Sequence, residues 1–439
     1  MLLSRTTRSY LKSAGFIFAG YVIISFIYSE TSDPNTPRAP KIPGRFDRTT
    51  PKGQALAAGA EDSRKRAAIV KAFKHAWKAY ERDAFGYDDY YPLSHKGSNL
   101  SGGGLGYTIV DSIDTIMLLK STGDREIAAM YDRAQAWIDK TLDFSLVGEV
   151  NTFETTIRVL GGLLSAHALL SSPPPKDSVY LKKAIDLADR LLPSFATATG
   201  IPLSSTNLTA RTGHADMGNG GAASTAEATT LQLEFKYLSH LTGNPDYWSA
   251  AVKVNRAVRQ ALLSEGPALV PIFISPRDGQ FQSSDIRLGS RGDSYYEYLL
   301  KQYLQTNRTE ETYRFMYDNS MDAIHQHLFR RTPSRKLLYT SEYHNVRWPN
   351  HGAEYDITKW HVEHKQDHLV CFLGGSLMLG ATESRGPVPP KLRDLTRSAI
   401  RDWNSGRDLI ETCMATHETA TLVTFSGRMV MSVKFVIHY

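Results

Sequence analysis

The sequence predicts an all-α protein assembled from repeated helical hairpins, and three observations carry that reading. From Arg64 onward, apolar residues recur at spacings of three and four, the period of helices that bury one face. Long alternating apolar and polar runs, the mark of half-buried strands, are missing. LLKSTGDREIAAMYDRAQAWI around Gly123 is echoed by LSHLTGNPDYWSAAVKVNRAV around Gly243. Each reads as helix, glycine stop, helix: the glycine supplies a left-handed C-cap, and the Asp or Asn after it caps the next helix. Hairpins repeated in this way and separated by long loops suit a toroid or solenoid, with a plain helical bundle as the simpler alternative.

The chain has 439 residues, 41% of them hydrophobic and 22% charged, an ordinary globular composition. The balance of 51 Lys and Arg against 45 Asp and Glu leaves +6, too little to argue for nucleic acid. Residues 1–12 carry Arg5, Arg8 and Lys12, and the uncharged run SAGFIFAGYVIISFIYS follows at 13–29. As a helix that run rises roughly 26 Å, enough for a thin bilayer, and the basic flank stays cytoplasmic. It reads as a retained signal anchor, a cleaved signal peptide being the rival. Residues 30–63, with five prolines among Ser, Thr, Lys and Arg, read as an extended stem. The body behind it would be luminal, in keeping with sequons at Asn99, Asn207 and Asn307.

Within the body, Ile69, Phe73, Ala76, Trp77 and Tyr80 share one helical face, and Phe153, Ile157, Leu160 and Leu164 repeat the pattern. Further helices are predicted over 179–192, 225–241, 247–263, 294–305, 310–329, 369–379 and 392–411. Cys371 and Cys413, the only cysteines, exclude a disulfide scaffold and any Cys-rich metal site. One disulfide between them, or two buried thiols, remains open.

Carboxylates recur inside the apolar helical segments. Glu154 and Arg158 stand four apart in NTFETTIRVLGGLLSAH, the spacing of an ordinary helical ion pair, yet their neighbours are apolar enough to aim the pair at an enclosed space. Asp293 stands at a helix start, with Ser294 and Glu297 in the form of a capping box. Arg287, Arg291, Asp293 and Glu297 crowd that start beside Tyr295, Tyr296 and Tyr298. Carboxylates, Arg and aromatic rings together are what a sugar site needs. Asp111, Asp114, Glu227, Glu234 and His368 are weaker candidates, each equally readable as a cap, a solvated face or a core residue. No HExxH, P-loop or dinucleotide fingerprint occurs, which argues against nucleoside triphosphate chemistry.

Taken together, AFKHAWKAYERDAFGYDDYYPLS (72–94), GLGYTIVDSIDTIMLL (104–119), VNTFETTIRVLGGLLSAH (150–167), LADRLLPSFATATGIP (187–202), TAEATTLQLEFKYLSHLTG (225–243), RLGSRGDSYYEYLLKQYLQT (287–306) and DHLVCFLGGSLMLGA (367–381) resemble the class I α-mannosidases, glycoside hydrolase family 47. The YYEYLLKQ wording resembles its endoplasmic reticulum branch more than its Golgi branch. The resemblance implies an α/α barrel of seven helical hairpins, incomplete here, that trims α-1,2-linked mannose from high-mannose N-glycans with inversion and uses calcium. Carried over by motif, Glu154 matches the general acid and Asp293 a second catalytic carboxylate. Arg158, Glu227, Arg291 and His368 match residues lining the sugar site, and Cys371 and Cys413 match a disulfide.

The family-like domain is expected to run over 64–420. Beyond ETCMATHETAT the family continues with an Arg-Pro-Glu segment carrying a third catalytic carboxylate and a closing Thr-Glu-Ala-His strand whose Thr binds calcium. Residues 421–439 (TLVTFSGRMVMSVKFVIHY) are unlike either and read as an aberrant tail. Two functions are therefore weighed: a processing α-mannosidase in a membrane-anchored, type II arrangement in the endoplasmic reticulum, or a catalytically inactive, lectin-like luminal protein that binds high-mannose glycans. The residues as written are expected to hydrolyse little.

Overall fold

The computed structural model describes residues 63–262, 268–348, 357–387 and 389–418. The expected anchor, the stem up to residue 62 and the tail at 421–439 lie outside the described residues. Among the described residues helix α1 (Ser63–Asp83) comes first and is followed by five hairpins. These pair α2 (Tyr107–Lys120) with α3 (Arg125–Lys140), α4 (Gly161–Ala168) with α5 (Val179–Leu191), and, after the short α6 (Thr225–Thr229), α7 (Gln232–Thr242) with α8 (Pro245–Ala261). Helices α9 (Asp293–Gln305) and α10 (Glu311–His327) form the fourth hairpin, α11 (Phe372–Thr382) and α12 (Arg397–Glu418) the fifth.

Composition sorts the two members of each hairpin into layers. First members such as α2 (YTIVDSIDTIMLLK) and α11 (FLGGSLMLGAT) are apolar nearly all round, the signature of a helix packed on several sides. Second members carry a single stripe: α5 buries Tyr180, Leu181, Ala184, Leu187, Ala188 and Leu191, and α3 buries Ile127, Met130, Tyr131, Ala134 and Ile138. The contacts follow suit. Helices α2, α4, α7, α9 and α11 touch in succession and make an inner wall, with their partners behind them.

The repeat seen in the sequence marks two inner-to-outer turns. Gly123 (φ +79°) and Gly243 (φ +74°) adopt the left-handed conformation. Asp124 then accepts hydrogen bonds from the N–H groups of Glu126 and Ile127, and Asn244 from that of Asp246. Connections in the other direction, from an outer helix to the next inner one, are long and carry the short strands. A three-stranded antiparallel sheet places 205–207 between 149–151 and 212–214, and another places 342–346 between 284–286 and 361–363. The long connections therefore gather at the end of the wall where the inner helices begin.

Several sequence expectations need adjustment. The helix expected over 225–241 breaks at Thr230 and Leu231 into α6 and α7. The last helix begins at Arg397 rather than at 392, where a single 3-10 turn stands. On α1 the buried stripe is Val70, Phe73, Trp77 and Tyr80, while Ile69 is 45% exposed. Ala76 also faces outward, because the core underlies one side of that helix only. Cys371 and Cys413 form a disulfide joining the starts of the last inner helix and the end of its partner. Those two helices cross closely: a Cβ on Gly406 would lie 2.6 Å from the Gly374 carbonyl oxygen.

Candidate active site

Four sequence-predicted residues sit where inner-wall segments begin, at the end bearing the long loops. Glu154 closes a helical turn (Thr152–Glu154) that runs through a π-helical segment (Thr155–Leu160) into α4. Glu227 lies in α6, Asp293 opens α9, and His368 opens the 3-10 turn leading into α11. Helix N-termini favour negative charge, so the placement suits carboxylates.

Arg158 is the buried centre of the first group, only 6% exposed. Its Nε donates to Glu154 Oε2 at 2.6 Å and its Nη1 to Asp111 Oδ2 at 3.2 Å. The expected helical ion pair thus exists, and a second carboxylate from α2 completes it. Burial pushes the Asp111 carboxyl above its ordinary range, against the pull of Arg158. Asp114, one turn on, accepts from Ser165 Oγ at 2.8 Å and serves helix packing.

Asn151, which sequence reasoning missed, joins Glu154 to Glu227. Its Oδ1 accepts the Glu154 N–H at 2.7 Å, and its Nδ2 donates to Glu227 Oε2 at 3.4 Å. Burial lifts the Glu227 carboxyl to about 7; the Glu154 charge adds to that rise and Arg291 opposes it. An Asn three residues ahead of a Glu at a helix start was the available signal, since that spacing is an N-cap.

Arg291 lies at positive φ (+74°). Its carbonyl accepts the Ala226 N–H at 2.9 Å, which ties the start of α6 to that of α9. The guanidinium stacks 5.0 Å from the Phe273 ring centre and donates to Asn219 Oδ1 at 3.4 Å. Two residues on, burial raises the Asp293 carboxyl to about 7, helped by the charges of Glu297 and Asp367 and opposed by the Ser294 N–H at 2.8 Å. The capping box does not form as expected. The helix starts at Asp293, whose own carboxylate takes the Ser294 N–H, and Glu297 pairs with Lys301 at 2.5 Å. Asp367, missed in the sequence, caps the His368 turn by accepting the Leu369 N–H at 3.1 Å and accepts the Ser290 N–H at 3.5 Å. His368 is half-buried beside it.

Deeper along the inner wall, Glu234 accepts from Tyr298 Oη at 3.1 Å, and its other oxygen, Oε2, is buried without a hydrogen-bond partner among the described residues. Burial raises this carboxyl too, to about 7. Among the described residues no three His, Cys, Asp or Glu side chains converge as metal ligands. Among the described residues the site carboxylates are engaged by Arg158, Asn151 and the Ser294 N–H and do not gather as a calcium ligand set.

Two groups of carboxylates stand at the mouth of the helical wall, Glu154 with Glu227 and Asp293 with Asp367, and the Arg291 carbonyl ties the segments that bear them. Residues 72–434 match the sequence profile of Glycosyl hydrolase family 47. The chain belongs to that family. It is 41% identical over 380 residues to the endoplasmic reticulum mannosyl-oligosaccharide 1,2-alpha-mannosidase of Saccharomyces cerevisiae, covering 84% of this chain and 65% of that protein. To the mannosyl-oligosaccharide 1,2-alpha-mannosidase of Candida albicans it is 39% identical over 369 residues, covering 84% of this chain and 61% of that one. The chain thus spans a little under two thirds of the length of these family 47 relatives. Its fold is similar to that of the alpha-1,2-mannosidase from Trichoderma reesei, with a TM-score of 0.64 at 29% identity over 79% of this chain and 66% of that one. The helix-rich wall accordingly resembles the family 47 α/α barrel.

Proposed function

We propose that this family 47 chain is a glycosidase that removes terminal α-1,2-linked mannose from high-mannose N-glycans, with inversion at the anomeric carbon. The observation that carries the reading is that Asn151 bonds both Glu227 and the Glu154 N–H, while the Arg291 carbonyl ties the start of the Glu227 segment to that of the Asp293 helix. Inversion needs one carboxyl to protonate the leaving oxygen and another, across the ring, to activate water. Glu154 takes the first role and Asp293 stands for the second site carboxyl. Arg158 and Arg291 orient sugar hydroxyls, with Glu227 and His368 lining the same space. Carboxyls lifted to about 7, as Glu227 and Asp293 are, can hold or release a proton near neutral pH.

The endoplasmic reticulum mannosidase among the relatives supports placement in that compartment, and the apolar run at 13–29 supports a type II anchor with the body in the lumen. The Golgi is the second placement. The test follows the anomeric proton of mannose by NMR while the full chain acts on an α-1,2-linked mannobiose and on a high-mannose glycan. β-Mannose released first, at the low rate expected of the residues as written, is the expected result. α-Mannose first would overturn inversion, and glycan bound without release would move the chain to the lectin-like reading.

A further inference from the structure

We infer that Asn307 carries an N-linked glycan, on the face of the protein opposite its own sugar site. The inference rests on the luminal placement proposed above. The three sequons occupy quite different positions. Asn99 is exposed, but its side chain is held against the backbone: its Oδ1 accepts the Asp88 N–H at 3.3 Å, and a Cβ on Gly104 would stand 2.8 Å from its Nδ2. Asn207 is in the central strand of the 149–151, 205–207, 212–214 sheet, paired with Glu149 and Thr212, and its Oδ1 closes a turn by accepting the Ala210 N–H at 2.9 Å. That sheet leads directly into Asn151 and Glu154, so a glycan on it would stand beside the substrate's path.

Asn307 lies elsewhere. It follows the C-terminus of α9, whose N-terminus is Asp293; the 13 residues of α9 put roughly 20 Å between the two ends. The residue is exposed, and what fixes it is its backbone: the Asn307 N–H donates to the Leu304 carbonyl at 3.1 Å and the Arg308 N–H to that of Tyr303 at 2.8 Å. Both residues have positive φ, +51° and +67°, so the chain turns sharply and presents the Asn at its apex. Arg308 anchors the turn through Glu383 Oε2 at 3.1 Å. The hydroxyl of Thr309, the third sequon residue, donates to the Thr306 carbonyl at 2.8 Å. In the modification, Asn307 Nδ2 displaces lipid pyrophosphate from a lipid-linked oligosaccharide at its anomeric carbon. One C–N bond forms, one C–O bond breaks, and Nδ2 loses a proton. The chain would then bear the very class of glycan it acts on, rooted at the end of α9 away from its own site.

The experiment expresses the full chain in a eukaryotic secretory host, removes glycans with an amidase that converts the glycosylated Asn to Asp, and maps the peptides by mass spectrometry. The 307 peptide is expected to carry the conversion. Asn307→Gln and Thr309→Ala are each expected to lose one glycan step on a gel; the second variant keeps Asn307 itself. An unconverted 307 peptide in a chain protected from protease within microsomes overturns the inference while leaving the luminal placement standing. A chain digested by protease outside intact microsomes overturns the luminal placement, and the inference with it.

Discussion

Asn151 hydrogen-bonds Glu227 across 76 residues of sequence, with Nδ2 to Oε2 at 3.4 Å, while its other amide atom caps the turn that bears Glu154. One neutral side chain thus holds two carboxylates at a fixed separation. Asn151→Ala is expected to cost about 1 kcal/mol through the lost cap, and to weaken glycan binding beyond what that loss explains. Chemical unfolding and calorimetric titration with a high-mannose glycan measure the two effects separately. Asn151→Asp keeps the cap acceptor but faces Glu227 with a carboxylate, so it is expected to preserve stability better than Ala and binding worse.

Replacing Glu154 by Gln retains the shape of the side chain and its contact with Arg158 but removes the transferable proton. Turnover is expected to fall by on the order of 10²–10⁴, with glycan affinity changing little. Equal losses in both would show that Glu154 is a structural partner of Arg158 and nothing more.

Arg158 is the counter-ion of two carboxylates in a buried setting. Arg158→Met leaves Glu154 and Asp111 facing each other without it and is expected to destabilise the fold by about 3–5 kcal/mol. Arg158→Lys is expected to recover only part, because an ammonium cannot offer both carboxylates the planar fork. Denaturant midpoints rank the three proteins.

Glu227, Glu234 and Asp293 are each raised to about 7 by burial. The folded chain therefore keeps protons that the unfolded chain releases from about pH 4 upward. Stability from these groups is present on the acid side and falls as pH rises towards 7. Urea unfolding at several pH values in that window is expected to show the decline. Glu234→Gln should make it shallower, since an amide does not titrate while Glu227 and Asp293 still do.

The disulfide spans a sequence separation of 42 residues, and in the chain-entropy view its loss costs about 4 kcal/mol. Cys413→Ala is expected to lower the melting temperature. Protease nicking should increase first around the α11 and α12 pair that the bond joins.

Much of the wall could be read in advance because its signals are local. Gly123 with Asp124 and Gly243 with Asn244 announce hairpin turns within a few residues, and those turns form as read. The Glu154 and Arg158 pair was equally local. Asp111 as the second partner of Arg158 lies 47 residues away, and Asp367 meets Ser290 across 77; nothing in the neighbourhood of either residue encodes those meetings. The capping box at Ser294 misled for a physical reason. Asp293 is the stronger acceptor for the first free N–H, which left Glu297 to pair with Lys301.

Tight turns close one end of the helical wall at Gly123, Gly243 and Asn307, and the long connections lie at the other. The molecule is thereby divided into a chassis and an interchangeable fitting. Exposed stretches such as 209–212 and 217–218 can be exchanged to alter what the mouth admits, while Ile201, Leu208, Leu269 and Ile274 in the same long connections belong to the core and keep the helix pairs behind them packed. New selectivity is reachable by diversifying those stretches alone, whereas a one-residue change in the Gly123 or Gly243 turn shifts the phase of two packed helices at once.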